Sequence, residues 1–243
     1  MKAMIFAAGL GTRLKHLTDD NPKALVAING KPLLEWQIKH LQKFNIYDVV
    51  INVHHFADKI IDFLSENKNF GSNIAISNES EQLLDTGGGL LFASRYFDNC
   101  DLILVQNVDI ICDINYQDFI EYHNSTNNLV TLAVGDRNTN RKFMVDENNY
   151  LAGWTNQITD EKIFITDKLN NSRLLAFSGV QIIDKKFISM INLKGKFSII
   201  DAYLQPFFYK KIGTYEHNIE NWLDVGKPEN ISTADKLINK IYK

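Results

Sequence analysis

A chain of 243 residues, 45% hydrophobic and 23% charged, has the length and apolar content for one large globular domain, 1–243, with a substantial core. A net charge of −3 without any Lys/Arg cluster argues against a nucleic-acid partner, yet leaves room for a local basic pocket. Two cysteines, Cys100 and Cys112, are too few for a disulfide framework, and no zinc-ligand spacing surrounds them. The apolar residues 3–10 look superficially like a short signal peptide, but Arg13 and Lys15 interrupt them before any cleavage site. With no run of membrane-spanning length, the chain reads as cytoplasmic with no membrane partner.

In chain order, residues 2–6 form an apolar strand that runs into a glycine-rich loop. Residues 26–28 and the Asn29-Gly30 turn lead to Pro32, a good first helical residue. Leu34, Ile38, Leu41 and Phe44 then recur at helical spacing. Residues 49–53 read as a buried strand, Phe56, Ile60, Ile61 and Leu64 as an amphipathic helix, and residues 74–76 as a third strand. Asp85-Thr86-Gly87-Gly88-Gly89 opens a segment over 90–97, which places glycine amides at a helix N-terminus suited to a ligand's acceptors. Residues 102–105 are the fourth strand, followed by Gln106-Asn107-Val108-Asp109.

Such alternation predicts a doubly wound α/β sheet of Rossmann-like type, mixed but mainly parallel, with helices on both faces. Ligands in such sheets bind at the carboxyl ends of strands, so the loops after Phe6, Val53, Ser77 and Val105 should open on one crevice. The second half is less regular. Residues 116–123 read as a helix, 129–134 as a strand, and 143–145 with 151–154 as a β-hairpin inserted beside the crevice. A long strand over 173–183, a helix over 197–204 and a final amphipathic helix through Ile231, Ala234, Leu237, Ile238 and Ile241 complete the chain.

The most informative stretch is Ala7-Ala8-Gly9-Leu10-Gly11-Thr12-Arg13-Leu14, closing with Asn21-Pro22-Lys23. Its small residues let a ligand approach the backbone, and glycines permit the φ angles that gather N–H groups around phosphate oxygens. Arg13 can fork onto two such oxygens, while Lys23 offers a mobile point charge. No Gly-Lys-Ser/Thr follows, which excludes a P-loop, and the third glycine of the dinucleotide fingerprint is missing. A plain strand-to-loop turn with a surface Arg and Lys is the alternative.

Asp109 and Asp224 are the carboxylates that could hold magnesium beside substrate phosphates, though each is equally a turn or cap residue by itself. His54-His55 lacks a carboxylate at ligand spacing, and adjacent strand residues face opposite ways. Cys100, flanked by Asp98 and Asp101, is a poor nucleophile. Trp36, Trp154 and Trp222 read as core or pocket wall.

The run from Gly9 to Leu14, with Leu17-Thr18 and Pro22-Lys23, resembles the signature of the sugar-phosphate nucleotidyltransferases, with His16 where that family has proline. What the resemblance implies is the nucleotide-diphospho-sugar transferase fold and Mg2+-dependent joining of a nucleoside triphosphate to a sugar-1-phosphate, with release of pyrophosphate. It assigns catalysis to Arg13, Lys23 and Asp109, the metal to Asp109 and Asp224, and the nucleotide to Ala7, Ala8, Gly9, Gly11, Thr12, Arg13, Lys23, Asn52, Glu81, Gly87 and Gly88. Asn107, Ser178 and Gly179 would face the sugar phosphate, and Val108 stands where the family has glycine. The compact length, the Asp85–Gly89 run and the short tail look most like the N-acetylmuramate-1-phosphate uridylyltransferases, which favours UTP. Mannose-1-phosphate guanylyltransferases and glucose-1-phosphate thymidylyltransferases share the first signature, and a phosphocholine cytidylyltransferase of the same superfamily is a further alternative. A non-catalytic nucleotide-sugar sensor, suggested by His16 and Val108, and a dinucleotide oxidoreductase are the readings from other classes. Oligomeric state is not legible.

Overall fold

The structure is a computed structural model, and it describes residues 1–167 and 171–242. Its strands are β1 (Lys2–Phe6), β2 (Ala27–Ile28), β3 (Lys31–Pro32), β4 (Asp48–Val53), β5 (Asn73–Asn78), β6 (Leu102–Asn107), β7 (Ile110–Cys112), β8 (Val130–Gly135), β9 (Arg141–Val145), β10 (Leu151–Asn156), β11 (Glu161–Phe164), β12 (Arg173–Asp184), β13 (Ile212–Glu216) and β14 (Trp222–Asp224). Its α-helices are α1 (Leu33–Lys43), α2 (Ala57–Glu66), α3 (Asp85–Phe92), α4 (Tyr116–Asn124), α5 (Lys185–Met190), α6 (Ile199–Tyr203) and α7 (Ile231–Ile241).

The first half is the expected parallel unit: β6, β1, β4 and β5 lie side by side, all parallel. Beyond β6 the long β12 pairs antiparallel, then β8 antiparallel to β12 and β13 parallel to β8. The result is a mixed, mainly parallel sheet of the expected α/β class. The other end of β12 joins β9, β10 and β11 in an antiparallel extension, so the anticipated hairpin has a third strand.

The sheet alternates its side chains between two cores, as period-two geometry requires. Ala3 and Ile5 enter one core with α1, α2, α4 and α7, and Met4 and Phe6 enter the other with α3, α5 and α6. Helices therefore cover both faces. Leu34, Ile38 and Leu41 are fully buried on α1, which is the stripe their spacing predicts.

Two expectations are corrected. Pro32 is the N-cap of α1 rather than its first turn, because the left-handed Asn29 and Gly30 close a small hairpin that carries the chain one residue further. The helix after the second glycine cluster starts at Asp85, so Gly87–Gly89 lie inside its first turns. Helix α5 and strand β13 were not foreseen; α5 is a short helix capped by Asp184, and β13 pairs in parallel with β8. No helix among the described residues is long and apolar enough to cross a membrane.

Candidate active site

Register builds the crevice. Phe6 at the end of β1 pairs with Asn52 on β4 and with Asn107 on β6, while Asn52 pairs with Ser77 on β5. Strand order turns back at β1, which lies between β4 and β6, so the crossovers leave on opposite sides and open a gap above this row. Asn52 faces into it. Its Oδ1 accepts the Ala7 N–H at 2.8 Å and its Nδ2 donates to Glu79 Oε1 at 2.8 Å. Glu79 is buried, and burial raises its carboxyl above the usual range against the pull of Asn52 and the Leu84 N–H.

Ala8, Gly9, Gly11, Thr12, Asn52 and Glu79 line a cavity of about 320 Å³. Gly11 is left-handed with φ +67°, and a Cβ there would stand 2.9 Å from Thr18 Cγ2 and 3.1 Å from Lys23 Cβ. That tight turn seats residues 12–17 as a short 3-10 helix, with Leu14 N–H donating to Gly11 O at 2.8 Å. A second cavity, about 260 Å³, opens on the other side of β6. Asn107, Gly179, Trp222 and Asp224 line it together with Phe143, Trp154, Phe177 and Arg137.

An ion-pair cluster bridges the two cavities. Lys23 Nζ binds Asp109 Oδ2, with both side chains nearly buried. Arg13 reaches Asp224 Oδ2 at 3.3 Å and Asp109 Oδ2 at 4.0 Å. Sequence spacing could not join the two aspartates; β14 does so by pairing with β7, which sets Asp224 opposite Ile110. Val225 N–H then donates to Asp109 O at 2.9 Å, and Gly226 N–H to Asp224 Oδ1 at 2.6 Å. Gly226 also leaves room for Arg13, whose Nη2 would be 2.5 Å from a Cβ there.

Burial raises the Asp109 carboxyl above its usual range; Lys23 opposes the rise and Asp224 adds to it. For Asp224, burial pulls upward too, but the Gly226 N–H, Lys23 and Arg13 hold it below the usual range. Opposite shifts of this kind are what adjoining carboxylates show, one taking up the proton more readily while the other stays ionised. Behind them Gln37 fixes the loop: its Nε2 donates to Val108 O at 3.2 Å and Ile110 O at 2.6 Å, on either side of Asp109. Gln106 Nε2 donates to Gln37 Oε1 at 2.9 Å, and the Tyr116 hydroxyl donates in turn to Gln106 Oε1 at 2.6 Å.

Most of the predicted residues therefore meet. Four do not face a cavity in the expected way. Gly87 and Gly88 donate their N–H groups to Phe197 O at 3.0 and 3.3 Å, and a Cβ on Gly87 would overlap the Phe197 ring. They are glycine so that α3 can pack closely on the 195–199 segment. Glu81 is exposed over a separate hollow, because β5 runs to Asn78 and brings Glu79 to the crevice instead. Ser178 is fully buried, its Oγ 2.7 Å from His217 Nε2, while its carbonyl accepts the Trp222 Nε1–H at 2.8 Å. Val108, in the glycine position of the resemblance, packs in the core and leaves the cavities clear. His16 is exposed beside Arg13.

Arg137, Arg141 and Lys142 on the second cavity were missed, since the hairpin region carries no signature; the strand end at Gly135 was the only cue. Cys100 is raised, as expected, but by burial rather than by its neighbouring aspartates.

Known proteins resemble this chain in sequence and fold. The mannose-1-phosphate guanyltransferase beta-A of Xenopus laevis is 27% identical over 96% of this chain and 63% of its own length. A mannose-1-phosphate guanyltransferase of Gibberella zeae is 29% identical over 98% and 64%. The chain thus spans somewhat under two thirds of these relatives. Among solved structures, HddC from Yersinia pseudotuberculosis complexed with GMP-PN superposes with a TM-score of 0.76 at 25% identity, covering 97% of this chain and 98% of that one. A putative glucose-1-phosphate thymidylyltransferase from Bacillus anthracis shares the fold, with a TM-score of 0.79 at 20% identity over 99% and 96%. The nucleotidyl transferase family model matches residues 2–241, and the chain belongs to that family.

Proposed function

We propose that this chain, as one nucleotidyltransferase domain, joins a nucleoside triphosphate to a sugar-1-phosphate and releases pyrophosphate. The observation that carries the reading is the Arg13–Lys23–Asp109–Asp224 cluster between a glycine-loop cavity and an aromatic-walled one. An oxygen of the sugar phosphate attacks the α-phosphorus as the pyrophosphate oxygen departs on the opposite side. The nucleophile is already an anion, so the residues need only align two anions and offset their charge. Gly9, Gly11 and Thr12 offer backbone at the triphosphate, and the exposed Arg13 can swing from Asp224 onto the β- and γ-phosphates. Lys23 would shift from Asp109 towards the α-phosphate. Asn107 and Gly179 lie where the sugar phosphate enters.

Asp109 and Asp224 suit a magnesium ion: both are hard oxygen donors, they adjoin, and burial leaves Asp109 poorly solvated. Such an ion, when bound, offsets negative charge on the reacting phosphates. Asn52 and Glu79 present an amide and a carboxyl to the base side of the first cavity.

The names of the relatives, and the guanine nucleotide in the Yersinia structure, support GTP and a mannose-type acceptor over the UTP suggested by the Asp85–Gly89 run. The packing role of Gly87 and Gly88 weakens that run as a guide to the base. Pyrophosphate release from four nucleoside triphosphates against mannose, glucose and N-acetylmuramate 1-phosphates and phosphocholine tests both. Release with GTP and a hexose-1-phosphate, dependent on magnesium and lost in Asp109→Asn, is expected. Silence across the matrix with nucleotide binding intact would instead make the protein a sensor.

A further inference from the structure

The second cavity holds more positive charge than one phosphate explains. Arg137, Arg141 and Lys142 line it, and the acid on its wall, Asp224, is already paired with Arg13. Arg13 and Lys23 stand on the other side of the aspartates, ready for the reacting phosphates. Three further cations are left for the acceptor.

Of these cations, Arg137 is held in place. The Arg137 guanidinium stacks 3.5 Å over the Trp222 ring and donates from Nη2 to Phe177 O at 2.6 Å. Its Nε–H is buried with no hydrogen-bond partner among the described residues. An unsatisfied buried donor is costly, and an acceptor from a ligand would relieve it. Lys142 is mostly covered, and its ion-pair partner is the well-exposed Asp136 at 3.4 Å, a contact worth little in water. Arg141 is exposed at the cavity mouth and makes no ion pair among the described residues. Phe143, Trp154 and Phe177 supply apolar walls that a sugar ring can cover, which would dry the cations and strengthen their attraction for an anion.

We propose that this cavity selects an acceptor carrying a second anionic group besides its 1-phosphate, a carboxylate or another phosphate, met by Arg137, Arg141 and Lys142. The inference rests on the reading of the protein as a sugar-1-phosphate nucleotidyltransferase and takes its acceptor to be an acidic sugar phosphate in place of the neutral mannose type that the relatives' names suggest.

The test is calorimetric binding to the full chain of matched acceptors that differ in that group. Glucuronic acid 1-phosphate is set against glucose 1-phosphate, N-acetylmuramate 1-phosphate against N-acetylglucosamine 1-phosphate, and glucose 1,6-bisphosphate serves as the phosphate arm. At least one doubly anionic member should bind about tenfold or more tightly than its singly anionic partner, the effect of one charge-assisted hydrogen bond. Which member wins separates carboxylate from phosphate. Arg141→Gln and Lys142→Gln should each erase most of that ratio while the melting temperature stays put. Equal affinities within every pair, or a preference that survives both substitutions, would overturn the inference. Tight acid binding without pyrophosphate release would refute the transferase reading and leave this one standing. Turnover indifferent to the second charge would do the reverse, and no binding by any member would end both.

Discussion

Replacing Lys23 with methionine would leave the Asp109 carboxylate buried beside Asp224, faced only by Arg13 at 4.0 Å on an exposed arm. Breaking one side of a buried pair costs about 3 kcal/mol or more, because the remaining charge has lost its partner. For a chain of this length that is a fall of about 6–12 °C in melting temperature at pH 8. The pH dependence follows from the direction of the Asp109 shift. Its folded carboxyl already titrates above the unfolded value, and losing Lys23, which opposes that rise, moves it higher still. A group raised on folding favours the folded state below its unfolded value, and that advantage is lost as pH rises through the folded value. The variant should therefore approach wild-type stability as pH falls and Asp109 takes up a proton. Adding Asp109→Asn to the variant removes the stranded charge and should recover most of the loss at pH 8. Thermal unfolding of wild type, Lys23→Met and the double variant from pH 5 to 9 measures all of this. A single variant as stable as wild type at pH 8, or a double variant no better than the single, would refute the reasoning.

Three further outcomes follow from the same packing. Gly11→Ala forces a side chain into the left-handed region and against Thr18, so a loss of about 2 kcal/mol and weaker nucleotide binding by calorimetry are expected. Gln37→Leu strands the carbonyls of Val108 and Ile110 and should cost about 2 kcal/mol while lowering kcat, measured by denaturant unfolding and pyrophosphate release. Wild-type nucleotide affinity in the first, or unchanged kcat in the second, would count against these roles. His40 is buried among Phe44, Tyr116 and Tyr242, and burial, with Lys43 adding to it, lowers its titration to about 3. Its neutral form favours the folded state above the ordinary histidine value, so stability should fall by up to about 1.4 kcal/mol per pH unit between about 6.5 and 3. His40→Leu should flatten that acid limb in urea titrations, and an unchanged slope would exclude His40 as its source.

The sequence by itself determined what is local. Short-range periodicity marked β1, β4, β5, α1, α2 and α7, since a strand or helix face reports its own burial over a few residues. The Gly9–Arg13 loop was legible for the same reason: a tight turn that presents backbone needs small residues at fixed spacing, whatever surrounds it. The carboxyl-edge rule then placed Asp109 at the crevice, and the family resemblance added Asn52 and Asn107. Tertiary structure decided the rest. Asp109 and Asp224 meet only because β14 pairs with β7, and pairing between distant segments leaves no mark in local composition. Glu79 rather than Glu81 reaches the crevice because β5 keeps its ladder with β4 as far as Asn78. Gly87 and Gly88 read as ligand contacts until Phe197 took their N–H groups, and Arg137 became part of a cavity only when Trp222 gave it a surface to stack on. A side chain's type is written in the chain, but its partner is chosen by the fold, and at this site the partners carry the chemistry.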